Sequence, residues 1–297
     1  MAHGRVRPVS AAVASAVHTI ADAPADAAGL LGRSEHACVF YDAGADGGRC
    51  CIQSGLGHDA LPLACRQFPR VSVLDPRGVS VTLSHYCPTA AALLDTAPDA
   101  GTAILTNTPA FPANGEYVGL DARQALPPLL KPNLLMDWDA WWECERLAVE
   151  SFSDARDGDP DVALTRLRTA VADVQQWSPA DGPLIDRVSE AFARAAQLAP
   201  SAQPASRVYV DAVFRAIPTE IRPARFAEAV ATSKRATRRF LAAHAFANWS
   251  IHSEQGLGMW MRSIDAAAAL LTAGAGVRHA DLLLRHLADT DKLHRDR

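Results

Sequence analysis

The sequence predicts a mainly α-helical protein, in which a small, irregular α+β region rich in cysteine and containing a β-hairpin precedes a helical bundle. Three observations support this prediction. Five of the six cysteines lie between Cys38 and Cys87, in a stretch rich in turn residues. Two valine-rich runs in that stretch alternate with polar residues, which is typical of strands. From about residue 120 onward, the apolar residues recur with the spacing of amphipathic helices.

The chain is expected to begin with an N-terminal tail over residues 1–30. Arg5 and Arg7 precede a run rich in alanine and valine, which faintly resembles a secretory signal, but His18 interrupts the run. A cysteine-cluster region that binds metal is predicted over residues 31–98, and a helical domain over residues 99–297.

Composition and charge exclude two classes of partner. The chain is 49% hydrophobic and 21% charged, with a net charge of −4, which is typical of a globular protein and unlike a nucleic-acid-binding surface. No run of apolar residues is long enough to cross a bilayer as a helix. We therefore expect a cytoplasmic protein that has neither a nucleic-acid nor a membrane partner.

A β-hairpin is predicted in the second half of the cysteine region. Valine and leucine alternate with serine and threonine on both sides of Asp75–Gly78, which has the residues of a tight turn. If Leu74 pairs with Val79, the register continues to a pair formed by Arg70 and Leu83.

Extending that register would bring two thiols to one end of the hairpin. The extended ladder places Cys65 beside Pro88 and Cys87 beside Arg66. A second, shorter hairpin around the glycine-rich turn at residues 41–48 would bring Cys38 close to Cys50 or Cys51. Thiols that two hairpin ends bring together can bind zinc or hold an iron–sulfur cluster, whereas isolated cysteines more often serve as small buried apolar residues.

The predicted helices are marked by apolar stripes and by start signals. The first has a tryptophan-rich face over residues 138–152, and Asp159 followed by Pro160 is typical of the start of the next. A third stripe runs from Leu184 to Ala195. A long helix is predicted from about Pro223 to Trp249, followed by two more at about Met259–Leu271 and Ala280–His294.

The cysteine segments also resemble a known family. The motifs Cys50-Cys51-Ile52-Gln53, Cys65-Arg66-Gln67-Phe68-Pro69-Arg70 and Leu83-Ser84-His85-Tyr86-Cys87-Pro88 follow one another in this order. Together they resemble the flagellin lysine-N-methylase branch of the zinc- or iron-chelating cysteine-cluster proteins, over roughly residues 37–95. Residues 1–37 contain no cysteine, so the family's N-terminal cysteine group has no counterpart here.

The resemblance implies a set of ligands and an activity. Cys38, Cys50, Cys65 and Cys87 would hold zinc or an iron–sulfur cluster, and Cys51 would occupy the variable position of its motif. The activity would be methyl transfer from S-adenosylmethionine to lysines of flagellin or of another protein. The alternative function is a non-catalytic helical interaction module in which the metal is a structural clip.

Several other residues have expected roles. Arg66 and Arg70 are candidates for binding the carboxylate of S-adenosylmethionine, because a guanidinium pairs with a carboxylate through two hydrogen bonds. The acidic stretch Asp137–Glu145 is either a receptor for a substrate lysine or, as we favour, the polar face of a helix. His85, two residues before Cys87, is either a ligand or a hydrogen-bond donor to one or, as we favour, a surface histidine. Cys144 is expected in the core.

Overall fold

In a computed structural model, the chain divides into two compact units, residues 1–67 and residues 68–297. The structure describes residues 17–18, 30–31, 33–34, 37–38, 40–42, 49–96, 104, 119–153, 158–199, 215 and 232–289. The predicted boundary at residues 98 and 99 thus falls inside the second unit, and the β-hairpin belongs with the helices.

The first unit contains short antiparallel ladders and short helices. The ladders pair β1 (Val17–His18) with β2 (Leu30–Leu31), β3 (Arg33–Ser34) with β4 (Ala37–Cys38), and β5 (Tyr41–Asp42) with β6 (Arg49–Cys50). The helices are α1 (Cys51–Leu56), a 3-10 turn (His58–Ala60) and α2 (Leu63–Gln67). The predicted hairpin around the glycine-rich turn is therefore confirmed.

The second unit begins with the predicted hairpin, formed by β7 (Arg70–Asp75) and β8 (Gly78–Leu83). Its register matches the prediction from Leu74–Val79 to Arg70–Leu83. A third strand, β9 (Leu120–Asp121), pairs in parallel with β7 and was not predicted. A separate ladder joins β10 (Leu129–Lys131) to β11 (Leu134–Leu135).

The rest of the described second unit is helical, which confirms the prediction of a mainly α protein. The helices are α3 (Pro88–Thr96), α4 (Trp138–Ser151), α5 (Pro160–Val174), α6 (Leu184–Ala196), α7 (Lys234–Ala245), α8 (Leu257–Thr272) and α9 (Val277–Asp289). The side chain of Asp159 caps α5 with Pro160 in its first turn, as predicted.

Two boundaries differ from the prediction. The helix expected to reach Trp249 ends at Ala245, because the chain leaves helical geometry there and Ala247 takes a φ of 51°; Trp249 begins a 3-10 turn (Trp249–His252). The continuous helix expected from about Pro223 is also wrong, because Ser233 is extended and its side chain accepts from the amide of Ala236, so that α7 begins at Lys234. The end expected near His294 lies outside the described residues.

The core of the second unit lies between α4, α5, α6, α7 and α8. The predicted stripes supply much of it, since Val162, Leu167, Val171 and Val174 of α5 are all buried. At the centre, Trp141 and Trp260 meet edge to face, with ring centroids 5.5 Å apart. Ile185, predicted for this face, is instead 37% exposed.

The hairpin tip is attached to α4 by a buried ion pair. Arg77 donates to both Asp75, within the turn, and Glu145, on α4, at 2.6 and 2.7 Å. The guanidinium also lies over the ring of Trp142, 5.3 Å from its centroid. The second oxygen of Glu145 accepts a hydrogen bond from the amide of Ala247 at 2.9 Å. One carboxylate therefore links the hairpin, α4 and the segment after α7.

Candidate functional site

Three of the four predicted metal ligands lie in the first unit. Cys38 ends β4, Cys50 ends β6 opposite Tyr41, and Cys65 lies in α2. Cys51 opens α1, and its amide donates to the carbonyl of Phe40 at 2.8 Å. The sequence thus places each thiol at the end of a short ladder or in a short helix, where the local backbone is held by few other interactions.

Two of these thiols affect the ionisation of the third. Burial, and then the charges of Cys38 and Cys50, raise the pKa of the Cys65 thiol above its ordinary value. Like-charge interactions of this kind require groups that are close in space. Cys38 and Cys50 are therefore near enough to Cys65 to affect its ionisation, while the convergence of the three thiols as metal ligands stays a prediction.

The thiols are not arranged as a coordination sphere in the described part of the chain. Across those residues, no three Cys, His, Asp or Glu side chains form a group that could hold a metal ion. The thiols of Cys38, Cys50 and Cys65 are free, with those of Cys38 and Cys65 exposed. In this arrangement, a negative charge on Cys38 or Cys50 opposes the ionisation of Cys65.

The fourth predicted ligand, Cys87, belongs to the second unit. It stands just before α3, and its amide donates to the carbonyl of Ser84 at 3.2 Å. The strand register does not extend to it, because the ladder ends at the pair of Arg70 with Leu83 and Cys65 is helical. The route by which Cys65 and Cys87 were expected to meet is therefore wrong, while their convergence stays a prediction.

The two candidate cofactor-binding arginines also fall in different units. Arg66 is half-buried in the last turn of α2, and Arg70 begins β7 opposite Leu83. Their role in binding the carboxylate of S-adenosylmethionine stays a prediction.

The acidic stretch on α4 is used by the protein itself. Asp137 caps the helix by accepting from the amide of Ala140 at 2.7 Å. Glu143 pairs with Arg146 on the helix surface, and Glu145 is buried with Arg77. Burial raises the pKa of Glu145, although Arg77 opposes the rise. The interpretation as a helix face with structural roles is favoured over that of a lysine receptor.

A cavity that the sequence did not predict lies inside the second unit. Its volume is about 490 Å3, within the range of small-molecule sites in proteins. Hairpin strands β7 and β8, the segment after α7, and helices α8 and α9 surround it. Among its apolar lining residues are Val71, Leu83, Leu120, Phe246, Met259 and Leu284.

One buried carboxylate lines this cavity. Asp281, on α9, is 5% exposed, and its Oδ2 accepts from the hydroxyl of Ser84 at 2.7 Å and from the amide of Tyr86 at 3.1 Å. No Lys or Arg is among the described residues that line the cavity.

Three histidines also line the cavity. His85 was expected at the surface but is only 5% exposed, and its ring packs edge-on against Phe240 with centroids 5.4 Å apart. His244 stacks on the same phenylalanine. Burial lowers the pKa of His252, and the charge of Arg77 adds to this effect while that of Asp75 opposes it. His252 is consequently neutral at physiological pH.

Asn248, Ser250 and Ser263, which also line the cavity, form a hydrogen-bond network. Ser263 Oγ donates to the carbonyl of Trp260 at 2.8 Å and accepts from the side-chain Nδ2 of Asn248 at 2.9 Å. The hydroxyl of Ser250 lies 3.2 Å from that of Ser263. These groups are satisfied within the protein, so this wall does not require a polar ligand.

No family model, curated protein or solved structure matches the chain. None of the described helices is long and apolar enough to cross a membrane.

Proposed function

We propose that the first unit binds a thiophilic metal centre, either zinc or an iron–sulfur cluster, through Cys38, Cys50 and Cys65. The observation that carries this proposal is that three free thiols lie on short elements of one compact unit, in which Leu61 is the one buried apolar side chain among the described residues. Thiolates are the usual protein ligands of both centres, so the donor set fits. Cys87 stays the predicted fourth ligand.

The composition of the first unit supports a structural role for such a centre. Helices α1 and α2 and the turn between them bury no residue. Among the described residues of this unit, Leu61 is the one buried apolar side chain. Segments that cannot form an apolar core commonly rely on a metal or another cross-link for their stability. When bound, the centre would tie the short ladders and helices together and contribute free energy of folding.

Metal binding by these thiols should depend on pH. A thiol must lose its proton to bind a metal, so each bound thiolate releases a proton and affinity rises with pH. The neighbouring charges that oppose ionisation of Cys65 in the metal-free protein are neutralised by the cation.

Metal and sulfide analysis after anaerobic purification tests the proposal. Zinc predicts a colourless protein with one metal ion and no sulfide; a cluster predicts a brown protein that absorbs at about 400 nm and contains sulfide. Purified protein that contains neither, and that takes up neither on reconstitution, would overturn it.

Cysteine variants then test the assignment of ligands. We expect Cys38→Ser, Cys50→Ser and Cys65→Ser each to lose the metal, whereas the adjacent thiol provides a matched control in Cys51→Ser, which keeps it. Limited proteolysis should cleave the first unit in the metal-free variants and leave α4 to α8 intact. Equal metal loss in Cys51→Ser would contradict the choice of Cys50.

Methyl transfer to protein lysines is a prediction that rests on the resemblance alone. Isothermal titration of the metal-loaded protein with S-adenosylmethionine tests it. Binding would support the methylase function, and absence of binding at about millimolar ligand, the upper end of the usual range for substrates, would leave the non-catalytic module with a structural metal clip.

A further inference from the structure

The cavity of the second unit is formed by elements that lie far apart in the chain. Its wall is drawn from strands β7, β8 and β9, the segment after α7, and helices α8 and α9, and its volume is about 490 Å3. Each of these elements contributes at least one apolar side chain to the wall. A volume of this size with largely apolar walls is the combination found in most small-molecule sites.

Several polar groups of this wall form hydrogen bonds within the protein. Thr82 Oγ1 donates to the carbonyl of Ala243 at 3.3 Å, and Trp249 Nε1 donates to the carbonyl of Ser72 at 3.1 Å. The network of asparagine and serine side chains in the same wall is also satisfied internally. An apolar ligand can therefore lie against these groups without leaving any of them unpaired.

Two of the titratable residues in the wall are Asp281 and His252. The carboxylate of Asp281 accepts from the hydroxyl of Ser84 at 2.7 Å and from the amide of Tyr86 at 3.1 Å, so these bonds already use it within the fold. The imidazole of His252 is neutral at physiological pH, because burial lowers its pKa. An ion that enters the cavity would need a new partner to offset its lost hydration, whereas a neutral apolar molecule would not.

We propose that this cavity binds a small, neutral molecule with a predominantly apolar, aromatic body. Phe246 and Trp249 line the cavity, and aromatic rings pack favourably against other rings in offset-stacked or edge-to-face arrangements. The binding free energy comes from removing the apolar surfaces of the ligand and of the wall from water. Binding at this site makes no use of the thiols of the first unit.

Three probes of matched shape test the preference for a neutral ligand. They are 2-methylnaphthalene, 2-naphthylmethylamine and 2-naphthoate, which share one ring system and carry a neutral, a cationic and an anionic substituent near neutral pH. Their affinities are compared by displacement of N-phenyl-1-naphthylamine, an uncharged dye that fluoresces in apolar surroundings. We expect the neutral probe to bind at least about tenfold more tightly than either ion, because burial of an unpaired charge is costly. Equal affinities, tighter binding of either ion, or no binding of any probe would overturn the proposal.

A variant that fills the cavity locates the site. Ala243 lines the cavity, and Ala243→Phe should reduce the affinity for 2-methylnaphthalene by at least about tenfold, because the new ring occupies space that the ligand needs. The exposed Ala193, on α6, provides the matched control, since Ala193→Phe makes the same change outside the cavity wall and should leave the affinity unchanged. Unchanged affinity in folded Ala243→Phe would overturn the assignment.

A second pair of variants keeps the test decisive if Ala243→Phe does not fold. Trp249 lines the cavity and is 49% exposed, so its truncation should leave the core intact. Trp249→Ala should weaken binding of 2-methylnaphthalene by about tenfold, whereas Trp249→Phe, which keeps an aromatic ring but loses the hydrogen bond to Ser72, should weaken it by less than about threefold. Unchanged affinity in Trp249→Ala, or equal losses in the two variants, would overturn the assignment of this ring to the site.

Discussion

The two units of the chain are held together in different ways. In the described part of the first unit, Leu61 is the one buried apolar side chain, while Tyr41, Leu56 and Leu63 are exposed. In the second unit, whole helix faces are buried, and Trp141, Trp260 and Phe240 are each at most 2% exposed. The second unit has a core that can stabilise its fold, and the first has ladders of two residues and clustered thiols instead.

The cysteines of the two units differ in the same way. Cys144, in the second unit, packs in the core, where a thiol serves as a small apolar group. Cys38 and Cys65, in the first unit, are exposed and lie in segments with little other support. An exposed thiol that does not pack in a core is accessible to reagents that modify thiols.

The largest expected effect is a contrast in thiol reactivity. In metal-free protein, iodoacetamide should modify Cys38 readily and Cys144 at least about a hundredfold more slowly, because modification of a buried group requires local opening. Burial and the charges of Glu145 and Glu143 also raise the pKa of Cys144. Mass spectrometry of the labelled peptides measures both rates. Equal rates would show that the core around α4 is not closed.

Core truncation should affect the second unit strongly. Trp260 is fully buried, and its Nε1 donates to the carbonyl of Ala245 at 3.0 Å. Trp260→Ala should lower the free energy of unfolding by about 5 kcal/mol, because it leaves a cavity and an unpaired carbonyl. Leu56→Ala, at an exposed site of the first unit, should change it by less than about 0.5 kcal/mol. Denaturant unfolding followed by circular dichroism compares the two.

Removing Arg77 should destabilise the hairpin attachment. Arg77→Met leaves Glu145 buried without its cation, which we expect to cost about 3 kcal/mol at neutral pH, the lower part of the range for buried pairs, because the Arg77 side chain is 25% exposed. Arg123→Met breaks an exposed pair with Asp121 and should have no measurable effect.

The cost of removing Arg77 should depend on pH. Burial raises the pKa of Glu145 in the folded protein, so the folded state binds this proton more tightly than the unfolded state. Stability from this group is present at low pH and is lost as pH rises through the raised pKa. Without Arg77, which opposes the rise, the pKa of Glu145 should be higher still, so the variant should lose more stability than the wild type as pH rises above the ordinary pKa of a glutamic acid. A pH-independent difference from the wild type would contradict the attachment as described.

The smallest expected effect is at the start of α4. Asp137→Ala removes the side chain that accepts from the amide of Ala140 and should cost about 1 kcal/mol. Asp139→Ala, an exposed site in the same turn, should cost less than about 0.5 kcal/mol. Thermal unfolding resolves the two, and equal losses would mean that the cap contributes nothing beyond its charge.

The features that the sequence predicted correctly depend on residues that lie close together in the chain. The register of β7 with β8 follows from the turn at Asp75–Gly78 and from the alternation on either side of it, all within a few residues. The start of α5 follows from Asp159 and Pro160 for the same reason. The short hairpin around the glycine-rich turn was predicted for the same reason, although its ladder pairs Cys50 with Tyr41 and Cys38 pairs with Arg33 in another ladder.

Features built from distant segments were not predicted. The strand pattern could not be continued to Cys65, because the carbonyl of Pro62 accepts from the amides of Cys65 and Arg66 and starts a helical turn. The cavity is lined by residues from Val71 to Leu284, and no local pattern connects them. His85 looked like a surface residue because its sequence neighbours are polar, but Phe240 of α7 covers it.

The two oxygens of Glu145 hold two different segments, Arg77 at the hairpin tip and the amide of Ala247 beside the cavity. Deuterium uptake at that single amide is therefore a report on the hairpin tip, more than 160 residues earlier in the chain. When Arg77 separates from Glu145, the carboxylate that accepts from Ala247 is left buried without its cation. Water then gains access to the amide of Ala247. The exchange rate of the Ala247 amide, which lines the cavity, therefore measures how often the ion pair between Arg77 and Glu145 opens.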